Sequence, residues 1–531
     1  MTKKRILFTA LVLLSSMMLS IFTVGCNKTP ESAPDTVDDN YRSFYQIFVG
    51  SFSDSNGDGF GDIRGIINRF DYLNDGNVNS ETSLGVQGIW LSPIFSSPTY
   101  HKYDAKDYYK IDRRFGEEKD LKELIELCHS RNVKLILDLA INHTSDQHEW
   151  FLKFKEARLN GDVENEYYDY YSCVTSDEKV GGISYRHLTG SFWYECNFDG
   201  AMPELNYDNP DVREAMLDVA KYYLELGVDG FRFDAVKYIY YGDTAKSVEF
   251  WKWYMDELYK INPDIYCVGE CWSGETEILD YYSAMNCFNF AMAQAEGVVS
   301  TAAKGNSAIS KFTGYVESYQ SKVLARNPDG MVMPFLSNHD MDRIAGTFVT
   351  ENNMRMAANL YILCSGSPVI YYGEEIGMRG SRGSANTDAN RRLAMLWGDG
   401  DTVKNPVGSS YASDKQISST VEDQMEDENS LYRYYCKLLS IRHRYPAIAR
   451  GVYTAIDCGH KNLGGFVIDY EGESLILIHN TSMEELSYDL SQCPELEDVD
   501  FSKICDYIGQ GKAKLNGTVL TLGPQTSVLI K

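Results

Sequence analysis

Three acidic residues, Asp234, Glu270 and Asp340, each follow a short apolar run of the kind that forms a buried β-strand: VDGFRF, DIYCVG and MVMPFLSNH. Each carboxylate is therefore expected at the carboxyl end of a strand, which in a (β/α)₈ barrel is the end that carries the chemistry. Carboxylates on neighbouring strand ends can converge on one pocket, and paired carboxylates are the usual machinery for breaking a glycosidic bond. Arg232 precedes Asp234 by two residues, so on a strand the two side chains share a face and the guanidinium favours the ionised carboxylate. That suits Asp234 to nucleophilic attack. Glu270, flanked by Gly269, Cys271 and Trp272, has a less polar setting that raises a carboxyl pKa and suits it to acid/base work. Asp340 follows Asn338 and His339, a polar tip fitted to gripping sugar hydroxyls as an oxocarbenium-like state develops. Singly, each acid reads as readily as a helix cap or a surface charge; the joint arrangement points to a site.

The elements that must position these residues are legible as alternating short β-branched runs and amphipathic helical stretches. GVQGIWLSPIF (85–95) precedes a helix near 117–131, and VKLILDLAINH (133–143) precedes a polar, Tyr-rich gap from 144 to about 206. The alternation predicts parallel βα units. The gap is too irregular for one helix and reads as an inserted subdomain. A helix near 210–226 opens close to a proline and closes before a glycine, and further βα units run to a last helix near 430–444. From about 450 the pattern changes to period two in GGFVIDY, SLILIHN and TVLTLGPQTSVLI, which predicts antiparallel strands. The expected fold class is α/β: a (β/α)₈ TIM barrel (41–142 and 207–449), a subdomain inserted after the third strand (143–206) and a C-terminal antiparallel β-sandwich (450–531).

A length of 531 residues accommodates this plan, and a formal net charge of −26 counts against nucleic acid or an anionic membrane surface as partner. Aromatic residues make up 13% of the chain, with 38 tyrosines; they suit stacking on sugar rings as well as ordinary core and surface roles. Lys3, Lys4 and Arg5 precede an apolar stretch from Ile6 to Phe22 that runs into Val24-Gly25-Cys26, the pattern of an export signal. A small residue before Cys26 resembles a bacterial lipobox, with Thr23 departing from its usual leucine. Lipidation of Cys26 and a membrane-anchored, outward-facing protein are expected; ordinary cleavage and a retained anchor are the alternatives. A Cys26→Ser chain that stays in the membrane fraction would refute lipidation. Residues 27–40 are polar and aperiodic, as in a flexible tether. Of 12 cysteines, the eleven besides Cys26 are scattered and imply no disulfide framework; Cys173 with Cys196 is one candidate bridge. No CxxC pair suggests zinc.

The loop DSNGDGFGD (54–62) sets oxygen ligands at alternating positions around tight glycine turns, the layout of a calcium loop. Asp54, Asn56, Asp58 and Asp62 supply side-chain oxygens and Phe60 a backbone carbonyl. Gly65 stands where an EF-hand has its bidentate glutamate, so a structural Ca²⁺ is expected rather than a sensor. A metal-free series of Asx-turns is the alternative.

DLAINH (138–143), GFRFDAVKY (230–238), VGECW (268–272) and FLSNHD (335–340) together resemble the α-amylase family of glycoside hydrolases, in order and spacing, and the likeness extends over nearly all of 41–531. The resemblance implies a retaining mechanism, with Asp234 as nucleophile, Glu270 as acid/base and Asp340 as transition-state stabiliser. It further implies that Arg232 orients the nucleophile, that His143 and His339 bind the sugar at the cleavage point, and that Tyr103 lies beneath that sugar. Related members carry the 54–62 loop, and a second family calcium site would use Asn142 with an acid such as Asp199. MPELN (202–206) places the chain between the oligo-1,6-glucosidase and neopullulanase types. Lys237 and Ala235 favour α-1,4 bonds. Exo-acting relatives carry an acid that pairs with the arginine matched by Arg392; Tyr100 takes that place here, which favours an endo-acting α-amylase on α-glucans, and a monomer is expected. An α-glucosidase or a cyclomaltodextrinase-neopullulanase activity is the alternative, and presence of all three acids counts against a non-catalytic glucan-binding protein.

Overall fold

A computed structural model describes residues 39–531. The export segment with Cys26, and all of the tether except Asp39 and Asn40, lie outside the described residues.

Seven parallel strands form the central curled sheet: β1 (Phe44–Ile47), β2 (Gly88–Leu91), β3 (Lys134–Leu139), β4 (Gly230–Phe233), β5 (Tyr266–Gly269), β6 (Asn286–Cys287) and β7 (Val369–Tyr371). They are ordered β6-β5-β4-β3-β2-β1-β7. Both faces are covered, so sequences such as FYQI and GIWL are buried along their whole length, as a doubly covered parallel sheet demands. The eighth stave is Met333–Phe335, which bridges Phe288 on one side and Val369 on the other and closes the ring. The MVMPFLSNH run therefore occupies a strand's place without being a regular strand: Pro334 has no N–H to donate to a ladder, and its carbonyl instead accepts from Val369 N at 2.9 Å. Phe44, Trp90, Ile136, Val268, Met333 and Val369 belong to one buried cluster, the side-chain packing that fills a barrel interior.

Helices complete the βα units at the expected places. Pro210–Leu226 starts on Asn209, whose side chain accepts from Asp211 N, and ends at Gly227 in the left-handed region, φ 103°, where glycine lacks the Cβ clash. Val212, Met216, Leu217, Ala220 and Tyr223 form its buried stripe. Glu118–Ser130 and Leu431–Arg444 match the other two predicted helices closely. The stretch from 144 to 206 contains a helix, Glu149–Asn160, and a three-stranded antiparallel sheet of Cys173–Thr175, Phe192–Glu195 and Tyr185–Thr189. The candidate Cys173–Cys196 bridge does not form: both are free thiols. Cys173 pairs with Tyr194 across the ladder, not with Cys196.

After Arg450 the chain forms a five-stranded antiparallel sheet and a three-stranded one, with a separate apolar cluster that includes Ile456, Leu463, Ile478, Leu520 and Val528. TVLTLGPQTSVLI divides into Val519–Leu522 and Thr526–Ile530 at Pro524. Helix Ile309–Arg326 joins this domain to the barrel, as Gln320 donates to Gly451 O at 2.9 Å and accepts from Tyr453 N at 2.9 Å.

Candidate active site

β4 and β5 each deliver a carboxylate one residue past their ends. The ladder continues through Asp234 N to Leu139 O at 3.2 Å and Glu270 N to Phe233 O at 2.9 Å, so the backbone fixes both Cα positions. Ala235 then takes a left-handed conformation, φ 48° and ψ 45°, which a residue with a Cβ adopts only under local constraint. Its amide lies 3.4 Å from Glu270 Oε2, and Val236 N donates to Glu270 O at 3.0 Å. The turn after Asp234 is thereby tied to Glu270.

Arg232, wholly buried, organises the acids. Nη1 donates to Asp234 Oδ1 at 2.6 Å and Asp138 Oδ1 at 2.7 Å. Nη2 lies 2.8 Å from Glu270 Oε1, a close contact whose atoms are not aligned as a hydrogen bond. One cation thus faces three carboxyls, so they cannot all ionise cheaply. Burial pushes Asp138 up to about 6 against the pull of Arg232. Burial also pushes Glu270 up to about 8; Arg232 opposes this, while Asp234, Asp340 and Asp138 add to it. Glu270 is the acid that holds a proton near neutrality.

Asp340 is the converse case. Burial pushes its pKa up, but His339, hydrogen-bonded to it, and the guanidinium groups of Arg392 and Arg232 outweigh that and hold it well below the carboxylate range. His339 Nε2 is 2.9 Å from Oδ2 and Arg392 Nη2 2.6 Å from Oδ1. A third of the side chain, 31%, stays exposed to the cleft. Arg392 also donates to His339 O at 2.9 Å and to the Tyr100 hydroxyl at 3.1 Å, so a neutral phenol takes the second half of the arginine's fork.

The Tyr103 ring stacks on His339 with centroids 5.3 Å apart, and its hydroxyl donates to Asp138 Oδ2 at 2.8 Å. His143 is buried, and its Nε2 has no protein partner; burial lowers its pKa. A neutral imidazole with a free ring nitrogen is suited to a sugar hydroxyl. Lys237 donates to Trp272 O at 2.8 Å, which holds the loops after β4 and β5 together.

Four participants were not read from the sequence. Asp138 links Arg232, Tyr103 and the indole of Trp90, whose Nε1 donates at 3.1 Å. Gln46 Nε2 meets His339 Nδ1 at 2.7 Å. Phe198, from the inserted region, stands 5.3 Å from His143 and 4.6 Å from Tyr238, and Trp272 stacks on Phe290 at 5.3 Å. Phe198 and Trp272 are each 44% exposed, bare aromatic surface beside polar groups. DLAINH contains Asp138 in plain view; the period-two rule that paired Arg232 with Asp234 could have marked it as an inward strand residue.

In the 54–62 loop, Asp54 Oδ1 accepts from Asn56 N and Gly57 N, and its Oδ2 from Gly59 N and the Thr402 hydroxyl. Asn56 and Asp58 accept from Asp58 N and Phe60 N in turn. Asp62 Oδ1 caps the helix Ile63–Asn68 at Gly65 N, which explains the glycine at the EF-hand's last ligand position: a Cβ there would fall 2.0 Å from Ser53 O. Among the described residues no group of three or more His, Cys, Asp or Glu is arranged to hold a metal. Asn142 is buried beside His143, while Asp199 is exposed and accepts from Ala201 N at 2.8 Å.

A parallel barrel whose strand ends present two carboxyls on a shared arginine, one of them raised to about 8, has the parts of a carboxylate-pair glycosidase. Residues 46–451 match the model of the α-amylase catalytic domain. The chain is 34% identical over 504 residues to Alpha-amylase 3 of Dictyoglomus thermophilum, covering 92% of each chain. It is 31% identical over 459 residues to a 4-alpha-glucanotransferase of Thermotoga neapolitana, covering 84% of this chain and 97% of that one. The solved structure of Eubacterium rectale Amy13B superposes with a TM-score of 0.85 at 33% identity, over 94% of this chain and 96% of that chain. The protein belongs to the α-amylase family of glycoside hydrolases and transferases.

Proposed function

We propose that this protein hydrolyses internal α-1,4-glucosidic bonds of starch, glycogen and malto-oligosaccharides with retention of configuration. The observation that carries the reading is the single guanidinium of Arg232 held at once by Asp234 and Glu270. Two carboxyls on one fork favour the close spacing, about 5–5.5 Å, of a nucleophile and acid over the wider gap of roughly 6.5–9.5 Å that holds an attacking water. Asp234 attacks the anomeric carbon while Glu270 protonates the leaving oxygen; Glu270, now ionised, then draws a proton from the water that hydrolyses the glycosyl-enzyme. Asp340, kept ionised, binds sugar hydroxyls and stabilises developing positive charge. Tyr103 lies beneath the sugar, and His143 and His339 bind its hydroxyls. Phe198 and Trp272, with Lys237, offer stacking surface for the leaving side of the glucan.

Tyr100 on Arg392 supports endo action, because no carboxylate occupies that place to block the end of the chain. The test is the early product profile from starch. Rapid loss of iodine colour with mixed malto-oligosaccharides is expected; slow loss with glucose or maltose alone would overturn the reading in favour of an exo-acting enzyme.

The donor set of the 54–62 loop fits a hard divalent cation. Asp54, Asn56, Asp58, Asp62 and the Phe60 carbonyl would hold Ca²⁺, which supplies charge that fixes the loop and takes no part in bond breaking. Bound at a hundred times its Kd, such an ion adds about 2.7 kcal/mol. Chelation should lower the melting temperature by several degrees. Elemental analysis that finds no calcium in the untreated protein would leave the loop as a series of Asx-turns.

A further inference from the structure

The C-terminal domain contains a pair of thiols that the catalytic reading does not use. Cys458 lies on the strand Val452–His460, and Cys493 sits between the 3₁₀ turns Leu490–Gln492 and Pro494–Leu496. Both are almost wholly buried, with 3% and 2% exposure, in the apolar cluster that also contains Ile456, Leu490 and Leu496. The two side chains adjoin in that cluster, and Tyr488 packs against it beside them. Among the other buried thiols, burial pushes Cys267 and Cys364 each up to about 12.

The position is structurally apt. Val452–His460 is the first strand of the five-stranded sheet, whereas residues 490–496 continue directly from Leu486–Asp489 of the three-stranded sheet. A bond between the two residues joins one sheet to the other across their shared core. It closes a loop long enough to restrict the unfolded chain substantially.

We propose that Cys458 and Cys493 are a disulfide-forming site that ties the two sheets of the C-terminal domain together. Cys493 is the sulfur that reacts first: its neighbours Cys458 and Tyr488 favour its thiolate against burial, while the Cys458 thiol is pushed far up. The oxidant is a disulfide, either a small molecule or a protein. Cys493 attacks one of its sulfurs and expels a thiol, leaving a mixed disulfide. Cys458 then loses its proton and attacks Cys493 Sγ, expelling the second thiol. Two protons and two electrons pass from the pair to the oxidant. Opening of the short 3₁₀ turns admits the reagent. None of this depends on the proposed glucan hydrolysis.

The test is to incubate the full chain with oxidised glutathione, unfold it, alkylate the remaining thiols and map the peptides by mass. A crosslinked pair containing Cys458 and Cys493, two hydrogens lighter than its free peptides, is expected, together with a melting temperature that falls when reductant is added. In Cys458→Ser the reductant-sensitive shift should vanish, and Cys493 should retain a glutathione adduct. Alkylation of both residues after oxidation, or linkage of either to another cysteine such as Cys505, would overturn the proposal.

Discussion

Replacing Asp234 with asparagine is expected to lower kcat on starch by on the order of 10⁴-fold or more, as loss of a covalent nucleophile does, while starch binding changes only a few-fold. The amide has the shape of the carboxylate, and its oxygen can still accept from Arg232 Nη1, which reaches Asp234 at 2.6 Å. What it lacks is the negative charge that attacks the anomeric carbon. Arg232 would not be stranded, since Asp138 accepts from the same nitrogen at 2.7 Å, and breaking a buried pair is most damaging when a charge is left uncompensated. The variant should therefore melt close to the parent. An unchanged rate would sink the mechanism, whereas a lost rate with a collapsed melting temperature would only report misfolding, so both are measured on one preparation.

The sequence carries the acids clearly because of what surrounds them. Strands covered on both faces must be continuously apolar, so a charged residue at the end of GFRF or YCVG marks the rim of the barrel. Arg232 and Asp234 are two apart, and period two puts them on one face without knowledge of the fold. The rest of the network depends on contacts that no local pattern encodes. Gln46 meets His339 across 293 residues, and Tyr100 meets Arg392 across 292. MVMPFLSNH reads as a strand because its apolar content suits the barrel core, yet Pro334 removes the ladder donor and only isolated bridges form. The Cys173–Cys196 bridge failed for a related reason: their shared loop-rich segment implied nearness, but the register sets Tyr194 opposite Cys173. Cys458 and Cys493, in separate segments, are thiols that the fold brings together.

The pH dependence follows from the same crowding of carboxyls. Burial holds the proton on Glu270 to about pH 8, and the leaving oxygen needs that proton, so kcat/KM should fall as pH rises through about 8. The stability linkage has the same sign. A carboxyl whose folded pKa lies above its ordinary 4.5 stabilises the fold fully below that value and loses this contribution as pH climbs to the folded pKa. Glu374, buried between the hydroxyls of Tyr361 and Tyr435 and also pushed up to about 8, adds to the same loss. Melting temperature should therefore decline as pH climbs from about 4.5 to about 8, and activity should fall from about 8 upward, where that loss is complete; Glu270→Gln separates the two. It should lower kcat on starch by about 10²- to 10⁴-fold, the span of general acid catalysis, and remove the limb near pH 8 from the activity profile while Glu374 keeps its part of the stability loss. A glycosyl fluoride, whose leaving group needs no proton, should be spared in the first chemical step. A limb near pH 8 that survives in Glu270→Gln would mean that another group, not Glu270, supplies the proton.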